Sequence, residues 1–312
     1  MTKKLKAIFM GNPEFSIPSL KALHSHPNIE LISVIGSPDK PVGRGKKIQS
    51  PATIEFAKKN NIHFIQADNI NKEPEFFKFC EEEKPDIILV LAFSHFLSEK
   101  ILQISKLGCF NIHTSILPKY RGSSPIHYAL LNNDPFTGVS IQRMVKKMDA
   151  GDLCHFDELE ILPEDNYLTL SAKLSDQAGI STTEFLNKLS EERLEFVPQD
   201  ESAVTFAPLI KKEEGLVDFL NDSAAAIHHK VRAFALWPGV YFFSNGKRYK
   251  IHESKIDHSK ISAGKVDLKH GKILIGTANQ TLEITIIQSE GKPKQKAIDF
   301  INGLGNKSFE IG

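Results

Sequence analysis

Two polar side chains stand two positions apart in the segment FNIHTSILPKYRGSSP, residues 110–125. Asn111 and His113 lie in an apolar run that predicts a strand, and residues i and i+2 of a strand project from the same face. An amide can donate to an oxyanion and an imidazole can carry a proton, so together they could support catalysis. The alternative is a polar pair that is satisfied at the edge of a sheet, and the N-x-H spacing alone favours this structural interpretation.

A carboxylate follows in KKMDAGDLC, residues 146–154, directly after the predicted strand GVSIQRMV. Asp149 precedes Ala150-Gly151, which indicates a turn, and turn aspartates usually hydrogen-bond to their own backbone. In the second interpretation the carboxylate lies at the same sheet edge as His113. A buried carboxylate there would favour the charged imidazole and orient it for proton transfer.

The elements that must position these residues alternate between strand and helix patterns. Short apolar runs predict strands at 6–11, 29–37, 63–67, 86–93 and 109–115, and the segments between the first four have helical spacing. Strands that are apolar on both faces indicate a parallel sheet covered on both sides. The sequence therefore predicts a doubly wound, Rossmann-like α/β domain, whose ligands bind beyond the carboxyl ends of the strands.

The pattern changes towards the second half of the chain. A helix at 123–133, a strand at 138–145 and a long helix at 167–190 extend the first domain, and a charged, proline-containing stretch follows them. Beyond a helix at 223–234, short strands and the hairpin signal Asn245-Gly246 predict a small, OB-like β-barrel. We expect a catalytic domain at 1–189, a linker at 190–206 and a second domain at 207–312.

Composition narrows the class of protein. The formal net charge of the 312-residue chain is +1, which argues against a protein wholly coated by nucleic acid. The charge is uneven: residues up to Phe206 have 23 basic and 27 acidic side chains, and the remainder has 16 and 11. The three cysteines have no metal-binding or disulfide spacing, and no signal peptide or membrane span is evident. We expect a soluble, cytoplasmic protein without a metal ion.

The motifs together resemble the formyltransferases that use 10-formyltetrahydrofolate. N-x-H-x-S-x-L-P-x-Y-R-G followed about thirty residues later by D-x-G-D is a specific signature. The resemblance extends over nearly all of the chain through the following blocks: GNPEFSIPSLKAL, SPDKPVGRGKKIQSPATIEFA, PDIILVLAFSHFLSEKIL, GCFNIHTSILPKYRGSSPIHYALLNND, TGVSIQRMVKKMDAGDL and RAFALWPG.

This resemblance implies roles for particular residues. Asn111, His113 and Asp149 match the catalytic positions of the family: the first two would stabilise the oxyanion formed when an amine attacks the formyl carbon, and Asp149 would hold the imidazole charged and help to relay a proton. The donor 10-formyltetrahydrofolate would contact the matching segment Ser115, Ile116, Leu117 and Pro118. Lys147 stands where the family usually has glycine, and because lysine adopts positive φ poorly, the sequence leaves the conformation of this loop open.

A basic segment, PVGRGKKIQSP at 41–51, has a different possible use. It lacks the G-x-x-x-x-G-K-[ST] spacing of a nucleotide cradle. In the family members that formylate tRNA, the matching loop enters the acceptor arm, so the resemblance assigns Arg44, Lys46 and Lys47 to tRNA binding. A solvated surface loop is the alternative interpretation.

The resemblance implies formyl transfer to the amino group of methionyl initiator tRNA by a monomeric enzyme. Relatives with the same catalytic residues formylate amino-sugar nucleotides, and others hydrolyse the formyl-folate with water as acceptor. A non-catalytic RNA-binding or nucleotide-binding module is a fourth possibility, against which the presence of Asn111, His113 and Asp149 argues. The basic loop and the second domain must discriminate among the acceptors, because the catalytic residues cannot.

Overall fold

The computed structural model describes residues 4–42, 45, 47–305 and 309–311, and the chain divides into two compact units. The first unit contains the described residues up to Pro125 together with 136–160 and 171–206. The second contains 126–135, 161–170 and the described residues from Ala207 onward. Among the helices in these ranges, none combines the length and apolar character needed to span a bilayer.

The first unit is built on a seven-stranded sheet, and a separate two-stranded hairpin accompanies it. The strands of this unit, in chain order, are β1 (Leu5–Gly11), β2 (Ile29–Gly36), β3 (Lys40–Val42), β4 (Lys47–Gln49), β5 (Phe64–Gln66), β6 (Ile87–Leu91), β7 (Gly108–His113), β8 (Phe136–Arg143) and β9 (Leu153–Glu160). The order in the sheet is β5-β2-β1-β6-β7-β8-β9, and β3 pairs with β4. The five strands from β5 to β7 are parallel, whereas β8 and β9 are antiparallel to their neighbours.

The α-helices in the described residues are α1 (Ile17–Ser25), α2 (Ala52–Lys59), α3 (Pro74–Glu83), α4 (Glu99–Leu102), α5 (Pro125–Leu131), α6 (Tyr167–Ser190), α7 (Ala224–Ala233) and α8 (Ala297–Leu304). α1 and α3 have proline in the first turn, where the missing N–H costs no hydrogen bond. On one side of the sheet, Ile8 and Met10 of β1 belong to the same buried core as Phe76 and Cys80 of α3. Burial of each of the three larger side chains, Ile8, Met10 and Phe76, contributes about 1.5–3 kcal/mol through its removal from water.

The predicted α/β class is confirmed, with the difference that the sheet is mixed and not wholly parallel. The sequence did not predict β9, whose letters LCHFDELE lack a long apolar run. Several of its residues are exposed, so β9 is a polar, half-buried strand at the edge of the sheet. This antiparallel extension matters because β8 lies directly beside β7.

The second unit contains an antiparallel sheet. Its strands are β10 (Val240–Ser244), β11 (Lys247–Asp257), β12 (Val266–Asp267), β13 (Ile273–Gly276), β14 (Thr281–Ser289) and β15 (Gln295–Lys296). They follow the order β10-β11-β14-β13-β12, and β15 pairs with β14. The described strands form a curled half-barrel, in which β10 and β12 end the order. The predicted turn between β10 and β11 is confirmed: Asn245 and Gly246 have φ of 48° and 73°, the left-handed values that tight hairpins require.

A buried arginine joins α7 to other segments of the second unit. Arg232 is 8% exposed, and its guanidinium donates to the carbonyl oxygens of Asp165 and Leu162 and to the side-chain oxygen of Asn133. Because a buried guanidinium is costly unless its N–H groups are satisfied, these three acceptors stabilise the packing of α7. The RAF portion of the RAFALWPG block therefore includes a structural arginine.

Candidate active site

The carboxyl end of β7 carries the predicted amide and imidazole. Asn111 is paired with Val90 of β6 and Gln142 of β8, and His113 is paired with Ser140 of β8. The alternation of a strand places Asn111 and His113 on one face. His113 is 6% exposed and Asn111 is half-buried, so the pair lies at a largely covered edge of the sheet.

One nitrogen of His113 is fixed by the backbone. Nε2 lies 2.9 Å from the carbonyl oxygen of Tyr120. Because a carbonyl oxygen only accepts hydrogen bonds, Nε2 carries a proton. Nδ1 is then the nitrogen that can gain or lose a proton, and it lies 3.7 Å from Oδ2 of Asp149, slightly beyond direct hydrogen-bond distance. The geometry thus assigns proton exchange to the side of the ring that faces Asp149.

Donors from separate segments hold the carboxylate of Asp149. Oδ2 accepts from the backbone N–H of Gly122 at 2.8 Å. Oδ1 accepts from the side-chain amide of Gln142 at 3.1 Å and, at a longer 3.5 Å, from that of Asn111. The Asp149 side chain is 12% exposed. Its bonds therefore reach outside its own turn, and the structure brings Asn111, His113 and Asp149 into one cluster.

The loop that carries Asp149 has its positive φ at Asp149 itself, at 50°, and not at Lys147. Aspartate tolerates this region better than most residues do, so lysine at 147 is compatible with the loop. Lys147 Nζ also pairs with Glu201 at 2.7 Å. Glycine is required at position 151 for a steric reason, because a Cβ there would lie 1.6 Å from the carbonyl oxygen of Arg143.

The segment predicted to contact the folate donor leaves the end of β7. The Oγ of Ser140 donates to the carbonyl of Ser115 at 2.7 Å and accepts from the N–H of Leu117 at 3.1 Å. The side chains of Ser115 and Leu117 are 1% and 3% exposed, whereas Ile116 and Pro118 are half-buried. Contacts of this segment with a ligand would therefore come from Ile116, Pro118 or the backbone.

The described part of the basic segment 41–51 includes residues of both strands of the hairpin β3–β4. Lys47 is exposed at the start of β4, where it pairs with Val42 of β3. Arg44 and Lys46, which were also predicted to bind tRNA, lie outside the described residues. The hairpin follows β2, a parallel strand whose carboxyl end lies at the same edge of the sheet as that of β7.

Side chains from neighbouring segments fix the base of this hairpin. Asn12 accepts from the backbone N–H of Ser37 at 2.7 Å, and the amide of Gln66 donates to the carboxylate of Asp39 at 2.6 Å. The hydrogen bonds from Gln66 and, next in size, Ser50 hold the pKa of Asp39 below its ordinary value. The hairpin thus leaves the sheet edge from an ordered base.

Two residues of the cluster were missed by the sequence analysis. Gln142 is 2% exposed; besides binding Asp149, it accepts from the N–H of Gly151 at 3.0 Å. A polar residue inside the apolar strand GVSIQRMV, opposite Asn111, was a usable signal. Gln199 donates to the carbonyl of Asp149, and no local pattern indicated it, because its partners lie far away in the sequence.

A second group of titratable side chains lies on β9 and α6. The possible ligand atoms of His155, Asp157 and Glu184 lie within 4.8 Å of one another. Lys188 Nζ stands 3.3 Å from Nδ1 of His155, so Nδ1 accepts and Nε2–H donates to Asp157 at 2.8 Å. Burial alone would raise the pKa of Asp157, but the hydrogen bonds from Ser181 and His155 outweigh burial and lower it. We interpret this group as a structural hydrogen-bond network.

Comparison with protein families matches both parts of the chain. Residues 3–185 match the model described as formyl transferase. Residues 209–305 match the model described as formyl transferase, C-terminal domain. The first match contains every residue of the cluster except Gln199.

Individual relatives are similar to this chain over nearly its full length. A methionyl-tRNA formyltransferase of Caldicellulosiruptor saccharolyticus is 35% identical over 309 residues, covering 97% of this chain and 98% of the relative. One of Lactococcus lactis subsp. cremoris is 37% identical over 319 residues, with 99% and 98% covered. Among solved structures, the sugar 3N-formyl transferase WlaRD has a TM-score of 0.66 at 19% identity and covers 93% of this chain and 99% of its own, which supports the fold alone.

Proposed function

Because the chain belongs to the formyl transferase family, we propose that it transfers the formyl group of 10-formyltetrahydrofolate to the free amino group of methionyl initiator tRNA. The product is N-formylmethionyl-tRNA, which serves translation initiation. The observation that carries the proposal is the convergence of Asn111, His113 and Asp149 at the carboxyl edge of β7. The full-length relatives that bear this activity in their names support the choice of acceptor.

The first step creates negative charge that Asn111 and His113 are placed to stabilise. The neutral amine attacks the formyl carbon, a C–N bond forms, and the formyl oxygen becomes an oxyanion. Asn111 has two N–H groups, of which one is directed towards Asp149 at 3.5 Å, so the other can donate to the oxyanion. Protonated His113 contributes positive charge beside it.

Collapse of this adduct requires a proton transfer. The bond between the formyl carbon and N10 of the donor breaks, N10 takes up a proton, and the attacking nitrogen loses one. His113 Nδ1 is the group suited to this transfer, because Nε2 is held by the carbonyl of Tyr120. Asp149 keeps a negative charge next to the imidazolium and provides a second acceptor for the proton. No covalent bond to the enzyme is needed.

The donor is assigned to the segment 115–118, which follows directly on the catalytic strand. We place the folate beside Ile116 and Pro118, whose side chains are half-buried, and not against the buried side chains of Ser115 and Leu117. The formyl carbon would then lie within reach of the end of β7. This arrangement brings donor and catalytic groups together without a further segment.

The acceptor is assigned from charge. Lys47 is exposed on the hairpin that follows β2, and the sequence has two further cations beside it, Arg44 and Lys46. The region from Ala207 onward has 16 basic and 11 acidic residues. Phosphate contacts by such cations would hold the tRNA backbone. We propose residues 1–189 as the catalytic domain and 207–312 as the tRNA-binding domain of a monomeric, cytoplasmic enzyme. An amino-sugar nucleotide would need neither cation group.

Competition between acceptors tests this function. Purified protein is given 10-formyltetrahydrofolate with either methionyl initiator tRNA or an amino-sugar nucleotide, and formylated product is measured. We expect formylation of the tRNA and none of the sugar. Transfer to the sugar alone would overturn the assignment, and consumption of donor without any formylated acceptor would identify a hydrolase.

The basic loop distinguishes tRNA recognition from chemistry. Replacing Arg44 by Glu is expected to raise KM for tRNA and to weaken its dependence on salt, with unchanged binding of the folate donor. Replacing His113 by Ala is expected to abolish transfer while tRNA binding is retained. If the charge reversal left KM for tRNA unchanged, the loop would be a solvated surface loop and the tRNA contact would lie elsewhere.

A further inference from the structure

The side chain of Gln199 lies between two loops of the candidate active site. Its Nε2 donates to the carbonyl oxygens of Asp149, at 2.9 Å, and Gly151, at 2.7 Å. Its Oε1 accepts from Nε and Nη2 of Arg121 at 3.0 Å and 2.8 Å. Carbonyl oxygens only accept and a guanidinium only donates, so the orientation of the amide is fixed by its partners. One side chain thus bonds to both loops at once.

Arg121 lies in the middle of the first loop, residues 120–122, which contacts both His113 and Asp149. It is 1% exposed, and its backbone N–H donates to the carbonyl of Thr205. The residue before it, Tyr120, offers the carbonyl that holds His113 Nε2, and the residue after it, Gly122, donates to Asp149 Oδ2. Any shift of Arg121 would therefore move the partners of both catalytic groups.

Two glutamine side chains bond to the backbone of the second loop, residues 149–151. Asp149 has positive φ, which costs free energy unless the surroundings enforce it. Gln199 stabilises the backbone of this turn by donating to the carbonyl oxygens of Asp149 and Gly151, and Gln142 stabilises it by accepting from the N–H of Gly151. Of these two glutamines, only Gln199 comes from outside the sheet.

We propose that Gln199 is a positioning residue, which sets the placement of Asp149 relative to His113 by joining the loop 120–122 to the loop 149–151. It acts through the guanidinium of Arg121 in the first loop and through the backbone carbonyls of Asp149 and Gly151 in the second, and not through contact with either substrate. The kinetic part of this inference rests on the proposed function. The segment 190–206 is then more than a connection between units, since one of its side chains completes the active site.

Replacement of Gln199 by Glu separates this role from simple anchoring. A carboxylate still accepts from Arg121, so the segment stays attached, but it cannot donate to the carbonyls of Asp149 and Gly151. We expect kcat to fall tenfold to a hundredfold, with KM for donor and tRNA changed less than threefold and with an altered pH–rate profile. Glu195→Gln, an exposed change in the same segment, is the matched control.

A double-mutant cycle with Asp149→Asn supplies the decisive comparison. If Gln199 acts by placing Asp149, Gln199→Glu should cost far less in the Asp149→Asn background than in the wild type. Equal costs in both backgrounds would overturn the proposal. Should Gln199→Glu fail to fold, Gln199→Asn keeps both polar groups on a shorter stem and gives the same readout.

Amide hydrogen exchange tests the placement without any catalysis. Gln199→Glu is expected to speed exchange of the N–H groups of Gly122 and Gly151, which bond to Asp149 and Gln142, while the amides of β7 keep their protection. Unchanged exchange at both glycines would refute the positioning role. Because this measurement needs no substrate, it decides the inference even if the wild-type protein formylates neither tRNA nor sugar.

Discussion

Replacement of Asp149 by Asn removes the negative charge beside His113 and leaves the volume of the side chain nearly unchanged. In the proposed mechanism His113 is an imidazolium, and its Nδ1 lies 3.7 Å from Oδ2 of the Asp149 carboxylate, with 6% and 12% of the two side chains exposed. Coulomb's law at an effective dielectric constant of about 20 gives roughly 4 kcal/mol for such a pair, which corresponds to about a thousandfold in rate. The asparagine also mismatches its neighbours: its NH₂ group would meet an N–H donor, from Gly122 or from Gln142.

Single-turnover formylation of methionyl-tRNA, with enzyme in excess over donor, measures this loss without interference from product release. We expect the rate of Asp149→Asn to fall by about a thousandfold, with the binding of both substrates retained. Asp152→Asn is the control, since it removes an exposed carboxylate three residues away on the same loop. A rate for Asp149→Asn within tenfold of the wild type, in a protein with unchanged melting temperature, would refute the electrostatic role given to this carboxylate.

Three further predictions follow from the same geometry. Asn111→Ala should lower kcat by roughly a hundredfold to a thousandfold with little change in KM, as expected for a lost oxyanion donor and measured by steady-state kinetics. Lys47→Glu should raise KM for tRNA and reduce the slope of log KM against log salt by about one unit, whereas the exposed Lys59→Glu should not. Hydrogen bonds from Arg121 and then Lys147 lower the pKa of Glu201 to about 2. The stability that these contacts contribute is therefore full above the unfolded pKa of 4.5 and is lost as the pH falls towards 2. Denaturation curves measured at a series of pH values should show this loss of stability for the wild type and not for Glu201→Gln.

The parts of the molecule that follow local rules were predictable from the sequence. The alternation of apolar strands with helices gave the α/β class, and Asn245-Gly246 gave the hairpin of the second unit, because φ preferences and hydrophobic periodicity act over a few residues. β9 was missed since an edge strand needs little apolar character. The conformation around Lys147 could not be derived, because a neighbouring residue, Asp149, takes the positive φ.

The candidate site shows the same division. The spacing of Asn111 and His113 in one strand and the turn at Asp149 made these three residues candidates, and the family resemblance then implied their catalytic roles. Gln142 left a weak signal as a polar residue in an apolar strand. Gln199 left none: it belongs to a stretch without periodicity, and its contacts with Asp149 and Arg121 span 50 and 78 residues. Long-range hydrogen bonds of single polar side chains have no periodic signature in a sequence.

The contacts of this stretch also explain why a charged segment can be ordered without an apolar core of its own. Val197 pairs with Leu153 of β9 through backbone hydrogen bonds, and the backbone of Thr205 pairs with that of Arg121. Between these two attachments, Gln199 and Glu201 bind the buried guanidinium of Arg121. Because a buried charge left without partners is costly, release of this segment would destabilise Arg121 and with it the loop that holds His113 and Asp149. The order of the segment and the geometry of the proposed catalytic groups are therefore expected to be lost together.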